Sequence, residues 1–133
     1  MVSLEEVAKI VAALPEVTEG TSHGNRTWLI GKKGFVWERP LTKADIKRFG
    51  DETPPDGPLI GLRTEDLHEK EAVLAEGTPG FFTMEHFDGY PAFLIQLKVA
   101  RKADVREAIV DAWLACAPPK LAETYVAAHK HRR

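Results

Sequence analysis

The side chains of this 133-residue chain that could do chemistry gather in two stretches. "TEGTSHG" offers the hydroxyls of Thr21 and Ser22 beside His23, and "FFTMEHFDGYP" offers His86 and Asp88 among Phe87 and Tyr90. A hydroxyl, an imidazole and a carboxylate are the parts of a nucleophilic relay. The hydroxyl attacks, the imidazole takes its proton, and the carboxylate orients the ring. The surrounding pattern does not support that use. There is no G-x-S-x-G turn to expose a nucleophile. In a polar turn, Thr21 and Ser22 have nearby backbone groups to bond instead. No catalytic residue is assigned.

Metal ligation would draw on His23, His86 and Asp88, or on His68 and Glu69 in "HEKEA". Zinc sites show close ligand pairs, and "HEKEA" lacks the second histidine of H-E-x-x-H. No metal or cofactor is assigned. The single cysteine, Cys116, excludes an internal disulfide framework and fits a reducing compartment. It falls on an apolar helical stripe with Ile109, Ala112 and Trp113. There a thiol acts as a small hydrophobe with a raised pKa.

Binding is the remaining class of function. The net charge is −2, whereas a non-specific duplex binder normally carries a positive excess to neutralise phosphates. Any DNA contact must therefore rest on a local patch. The candidates are the hairpin pair Lys32 and Lys33, then Arg39, Lys43, Lys47 and Arg48, and finally Arg101 and Lys102. Such binding would be weak, electrostatic and little dependent on base sequence. Trp28, Trp37, Phe87 and Tyr90 are aromatics able to stack on bases. The alternative is a small-ligand or protein-binding cleft between the two loops, drawing on Thr21, His23, Trp28, His86, Phe87, Asp88 and Tyr90. The structural alternative is a buried polar network of His23, His86 and Asp88 that fixes the two loops.

The elements that position these residues follow from pattern. Ser3 and Glu6 form a capping box, and Leu4, Val7, Ala8, Val11 and Leu14 share one helical face before Pro15. "TEGTSHGN" reads as a polar turn. "RTWLIG" and "GFVWERP" flank a tight turn and read as a hairpin. Thr42 and Gly50 bound a short helix, "LIGLR" is a strand, and Thr64 caps a helix through "EDLHEKEAVLAEG". "FFTMEH" carries Phe81 and Phe82 into the core, and "FDGYP" is a turn with Gly89 at positive φ. In "AFLIQLKV", Phe93, Ile95 and Leu97 share one face. A long helix follows, capped by Asp104 and Glu107, with Trp113 on its apolar stripe; Leu121, Tyr125 and Ala128 mark a closing helix.

This order predicts an α+β fold: an antiparallel β-sheet with helices packed on one face, in one domain over residues 1–128 with a disordered basic tail at 129–133. At 44% hydrophobic and 29% charged, the composition is that of a globular protein, with no apolar stretch long enough for a bilayer. Glu5, Glu6 and Lys9 interrupt any signal-peptide core at the N-terminus. The expectation is a cytoplasmic protein without a membrane partner.

The blocks "ALPEVTEGTSHG", "GFVWERPL", "EDLHEKEAVL", "FFTMEHFDGYPAFLIQL" and "DAWLACAPPKLAETY" run in this order along nearly the whole chain. They resemble the successive signatures of the MmcQ/YjbR proteins. That resemblance implies a compact fold likened to frataxin and to secretion-chaperone domains. It also implies a non-enzymatic DNA-binding or regulatory role, a label the family owes largely to fold comparison. It implies no catalytic residue. The acidic ridge expected of a frataxin is missing from the first helix, where only Glu5 and Glu6 are acidic.

Overall fold

The first helix, α1 (Leu4–Ala12), starts where the sequence places it. The Ser3 hydroxyl accepts from the Glu6 amide at 3.1 Å, and the Glu6 carboxylate accepts from the Ser3 amide at 3.2 Å. This computed structural model describes residues 1–129. After α1 come β1 (Val17–Ser22), β2 (Asn25–Ile30), β3 (Lys33–Glu38), α2 (Lys43–Phe49), β4 (Leu59–Arg63), α3 (Leu67–Ala75) and β5 (Phe81–Phe82). A 3-10 turn (Glu85–Phe87), β6 (Ala92–Gln96), α4 (Lys102–Cys116) and α5 (Pro119–His129) complete the order. The strands form one six-stranded sheet in the order β1-β2-β3-β4-β6-β5, with every neighbouring pair antiparallel. The fold is α+β.

One segment departs from its sequence reading. "TEGTSHGN" is not merely a turn: residues 17–22 form the edge strand β1, paired with β2 from Val17 opposite Ile30 to Ser22 opposite Asn25. Only His23 and Gly24 make the turn, at φ 53° and 79°. Two successive positive φ values are those of a hairpin turn whose twist matches its strands. The strand is hard to read because it lies at the sheet edge and keeps most of its polar side chains in water.

Smaller corrections concern helix starts and the tail. Asp66, not Thr64, caps α3 by accepting from the Glu69 amide at 2.8 Å. α4 starts at Lys102 without a side-chain cap; Asp104 instead receives Arg101 Nε at 2.7 Å. His129 closes α5, stacked on Tyr125 at 4.0 Å between ring centroids, rather than opening a tail. Residues 130–133 of the expected tail lie outside the described residues.

Alternation along the strands sends side chains to two faces. Ile60, Leu62, Phe93 and Ile95, with Leu97 just after β6, join the main core under α1 and α4, where Trp113 is fully buried. Val73 and Leu74 of α3 and Tyr125 of α5 pack against the same core. The other face carries a smaller cluster of Met84, Phe87, Ala92 and Leu94, closed by Trp37, Leu41, Phe49 and Phe82. Phe81 and Phe82 therefore part company: Phe81 meets Phe93 at 5.3 Å in the main core, and Phe82 joins the second cluster. α2 and the 3-10 turn cover the β4-β6-β5 half of this second face. The β1-β2-β3 half stays open, and it forms the floor of the site.

Candidate functional site: a groove on the open sheet face

The open half of the sheet is a groove of about 1090 Å³. Thr21, Asn25, Thr27, Leu29 and Trp37 project from the three strands as its floor. The segment after β3 forms one wall through Arg39, Leu41, Asp45 and Arg48. Arg63, His86, Phe87 and Tyr90 close the far side. The "TEGTSHG" and "FDGYP" stretches thus border one concave surface, with His23 and Tyr90 both lining it.

Several sequence candidates fall elsewhere. Trp28 points into the main core at 2% exposure, with its Nε1 donating to Glu19 at 3.1 Å. Trp37 takes the aromatic place expected for it. Asp88 does not line the groove. His23, His86 and Asp88 are all exposed, so they form no buried network. Among the described residues no hydrogen bond joins Thr21 or Ser22 to either histidine, and no group of three His, Cys, Asp or Glu is arranged to hold a metal.

The basic candidates also divide. Lys32 lines the groove from the β2-β3 turn, and Arg39 and Arg48 line its wall. Lys43 and Lys47 are exposed on α2 beside that wall. Lys33 pairs with Ile30 of the main core and so lies on the other face of the sheet. Arg101 and Lys102 are engaged with Asp104 and with Glu6 of α1, on the helical side. The set forms no single basic face. Burial pushes the Cys116 thiol pKa up, as its place on the apolar stripe implies.

Two residues that the sequence reading treated as ordinary hold the groove's rims. The first is Asp45, whose side chain is 1% exposed and binds Arg39 at 2.9 Å and Arg48 at 3.2 Å. It also accepts from the Thr42 amide at 2.9 Å. Burial raises its pKa, but the Thr42 amide and hydroxyl and Arg39 outweigh that effect and hold it below the ordinary carboxylate value. The second is Lys70 of α3, buried at 6% exposure beneath the "FDGY" turn. Its ammonium donates to the carbonyls of Phe87 at 2.5 Å and Tyr90 at 2.9 Å. Burial pulls its pKa below the ordinary lysine value, with the Asp88 charge opposing.

Lys70 is therefore the clamp that fixes the loop bearing Phe87 and Tyr90. Lys70→Met keeps the aliphatic stem and removes the donors, leaving two turn carbonyls without them. The expected loss is about 1–3 kcal/mol of stability, with faster amide exchange confined to residues 86–91. Unchanged exchange in that loop would show that the clamp does not order it.

The site is thus a concave, partly aromatic groove with converging cations on one face of an antiparallel sheet, the kind of surface that takes ligands. Three relatives match this chain over nearly its whole length: uncharacterised proteins from two strains of Mycobacterium tuberculosis and from Mycobacterium bovis. Each is 40% identical over 130 residues, covering 96% of this chain and 98% of the relative. The chain belongs to the same family as these mycobacterial proteins. No family model and no solved structure matches it. Among the described residues, no helix is long and apolar enough to cross a membrane.

Proposed function

We propose that the protein is a non-enzymatic binding module that takes an anionic ligand into the groove on its open sheet face. One observation carries this reading. Lys32, Arg39, Arg48 and Arg63 converge on the groove against only Glu38 and Asp45, although the whole chain is net negative. Low-dielectric walls of one prevailing sign concentrate ligands of the opposite sign. Arg39 and Arg63 also lie over the rings of Phe87 and Tyr90, at 5.7 and 5.4 Å, so the cations are held in place before any ligand arrives.

The test is a thermal-shift panel of phosphate- and carboxylate-bearing small molecules, run on three proteins. Wild type and Lys33→Gln, altered on the opposite face, should be stabilised by the same compounds. Arg63→Gln should lose that stabilisation. No stabilising anion, or a shift that survives Arg63→Gln, would contradict the reading.

A second reading rests on Lys43 and Lys47, exposed on α2 beside Arg48. Together with the groove they could follow a DNA backbone, in keeping with the resemblance to MmcQ/YjbR proteins, a kinship we also propose for the mycobacterial relatives. Binding of this kind should weaken with salt, and each lost phosphate contact should flatten the log K against log salt slope by about 0.9 on duplex DNA. Lys43→Gln and Lys47→Gln should each show that change. Duplex binding that is absent near 50 mM salt, a condition that strongly favours phosphate contacts, would remove this reading and leave the first.

A further inference from the structure

Resting on the reading of the groove as an anion site, we propose that its ligand is a planar aromatic anion of the nucleotide type. Its ring would stack on Trp37 and its anionic group would meet Arg63. The seat for the ring comes from a glycine. Trp37 pairs with Gly61 across β3 and β4, and its indole occupies the space that a side chain at Gly61 would fill. A Cβ there would lie 2.5 Å from Cε2, 2.6 Å from Nε1 and 2.8 Å from Cζ2. One part of the ring is thus supported by backbone, and this partly buried indole lines the groove. Trp28 and Trp113 are buried at 2% and 0% exposure, so Trp37 is the tryptophan that a groove ligand can reach.

The anion partner stands at a matching distance. Arg63 is two residues beyond Gly61 on β4, hence on the same face and about 7 Å further along the strand. A sugar between base and phosphate spans a gap of that kind. Arg39 and Arg48 both bind Asp45, whereas Arg63 is held by a phenol. Its Nη1 donates to the Tyr90 hydroxyl at 3.0 Å and its guanidinium lies over the Tyr90 ring. Its Nε is buried with no hydrogen-bond partner among the described residues. A buried donor without a partner is uncommon in folded proteins. That atom is closed to solvent, so an acceptor in the groove would meet the Nη edge, which the Tyr90 hydroxyl holds in place. Ring platform and fixed cation on one sheet face select a ligand that offers both a π-face and a negative charge.

The experiment titrates AMP, GMP and ribose 5-phosphate by calorimetry and tryptophan fluorescence, with oligo(dT) in a parallel arm. The nucleotides should bind and quench emission, and ribose 5-phosphate should bind at least tenfold more weakly, since base–aromatic stacking contributes on that scale. Trp37→Leu should weaken the nucleotides roughly tenfold and leave ribose 5-phosphate unchanged, while Trp37→Phe keeps most of the affinity. Gly61→Ala, which displaces the indole, should act like Trp37→Leu. Should Gly61→Ala fail to fold, as its melting curve would reveal, the Trp37 variants decide the matter. Ribose 5-phosphate binding as tightly as AMP and GMP, or nucleotide affinity unaltered by Trp37→Leu, overturns the stacking proposal while the anion groove stands. No binding of either nucleotide also overturns it. The groove reading falls with it only if the phosphate and carboxylate panel shows no hit. Binding of oligo(dT) alone overturns the small-ligand form in favour of a single-stranded polymer.

Discussion

Trp113→Ala is expected to lower the unfolding free energy by about 3–5 kcal/mol, among the largest losses a single truncation causes. Three contributions add. The side chain has no exposed surface, so its removal forfeits hydrophobic transfer and leaves a cavity that rigid neighbours cannot fill. Its ring contacts Tyr125 at 5.1 Å, so α5 loses part of its hold on the domain. Its Nε1 donates to the Pro15 carbonyl at 3.1 Å, tying α4 to the end of α1. Urea unfolding followed by circular dichroism measures the effect. Trp113→Phe should cost less, because it retains a ring and loses mainly the donor. A midpoint for Trp113→Ala close to wild type would contradict the place given to this residue at the centre of the main core.

Asp45→Asn is the second large effect, and it bears on the groove itself. The substitution keeps shape and one acceptor but removes the charge that binds Arg39 and Arg48. Stranding two guanidiniums beside a buried neutral amide would cost 3–5 kcal/mol in a fully buried setting. Arg39 is 16% and Arg48 40% exposed, and water screens part of that penalty. The expected loss is about 2–3 kcal/mol. The wild-type pH dependence has a definite sign. Asp45 has a folded pKa below its ordinary value of 3.8, so folding favours the ionised form. Its stabilisation is fully present above the unfolded pKa and is lost as pH falls through the lower folded value. Below that window Asp45→Asn and wild type should converge in stability, and near neutrality they should differ most. Parallel curves down to pH 2 would contradict the role given to this carboxylate.

Much of the main core was legible because burial there follows simple periods. The α1 stripe, the β6 alternation and the apolar face of α4 each place their residues correctly, and both capping boxes are where Ser3 and Thr42 put them. β1 was not legible, because an edge strand exposed on most of its length shows no hydrophobic alternation. The second sheet face was missed for a related reason. Its cover is built from single residues of scattered segments, such as Leu41, Phe49, Phe82 and Phe87, and no local period joins them.

The groove was half legible. Composition drew attention to His23, His86, Phe87 and Tyr90, and these do share it. The residues that give it a charge and a platform carried little local signal. Arg63 ends an apolar strand, Lys70 looks like a solvated helix lysine, and Gly61 has meaning only through Trp37, which lies 24 positions earlier. The spacing of Asp45 and Arg48 did offer a hint, since residues three apart meet on a helix face. Trp28 misled because it neighbours the right strand but points to its other face.

Amide chemical-shift mapping tests the groove as the binding site most directly. On titration of the ¹⁵N-labelled protein with AMP, shifts are expected in the His23–Asn25 turn, Lys32, Gly61, Arg63 and Tyr90. The indole N–H of Trp37 should move furthest, while the α1 and α4 residues Glu6 and Lys102 stay fixed. Perturbations centred on α1 and α4 with the groove silent, or none at all at millimolar AMP, would contradict this account.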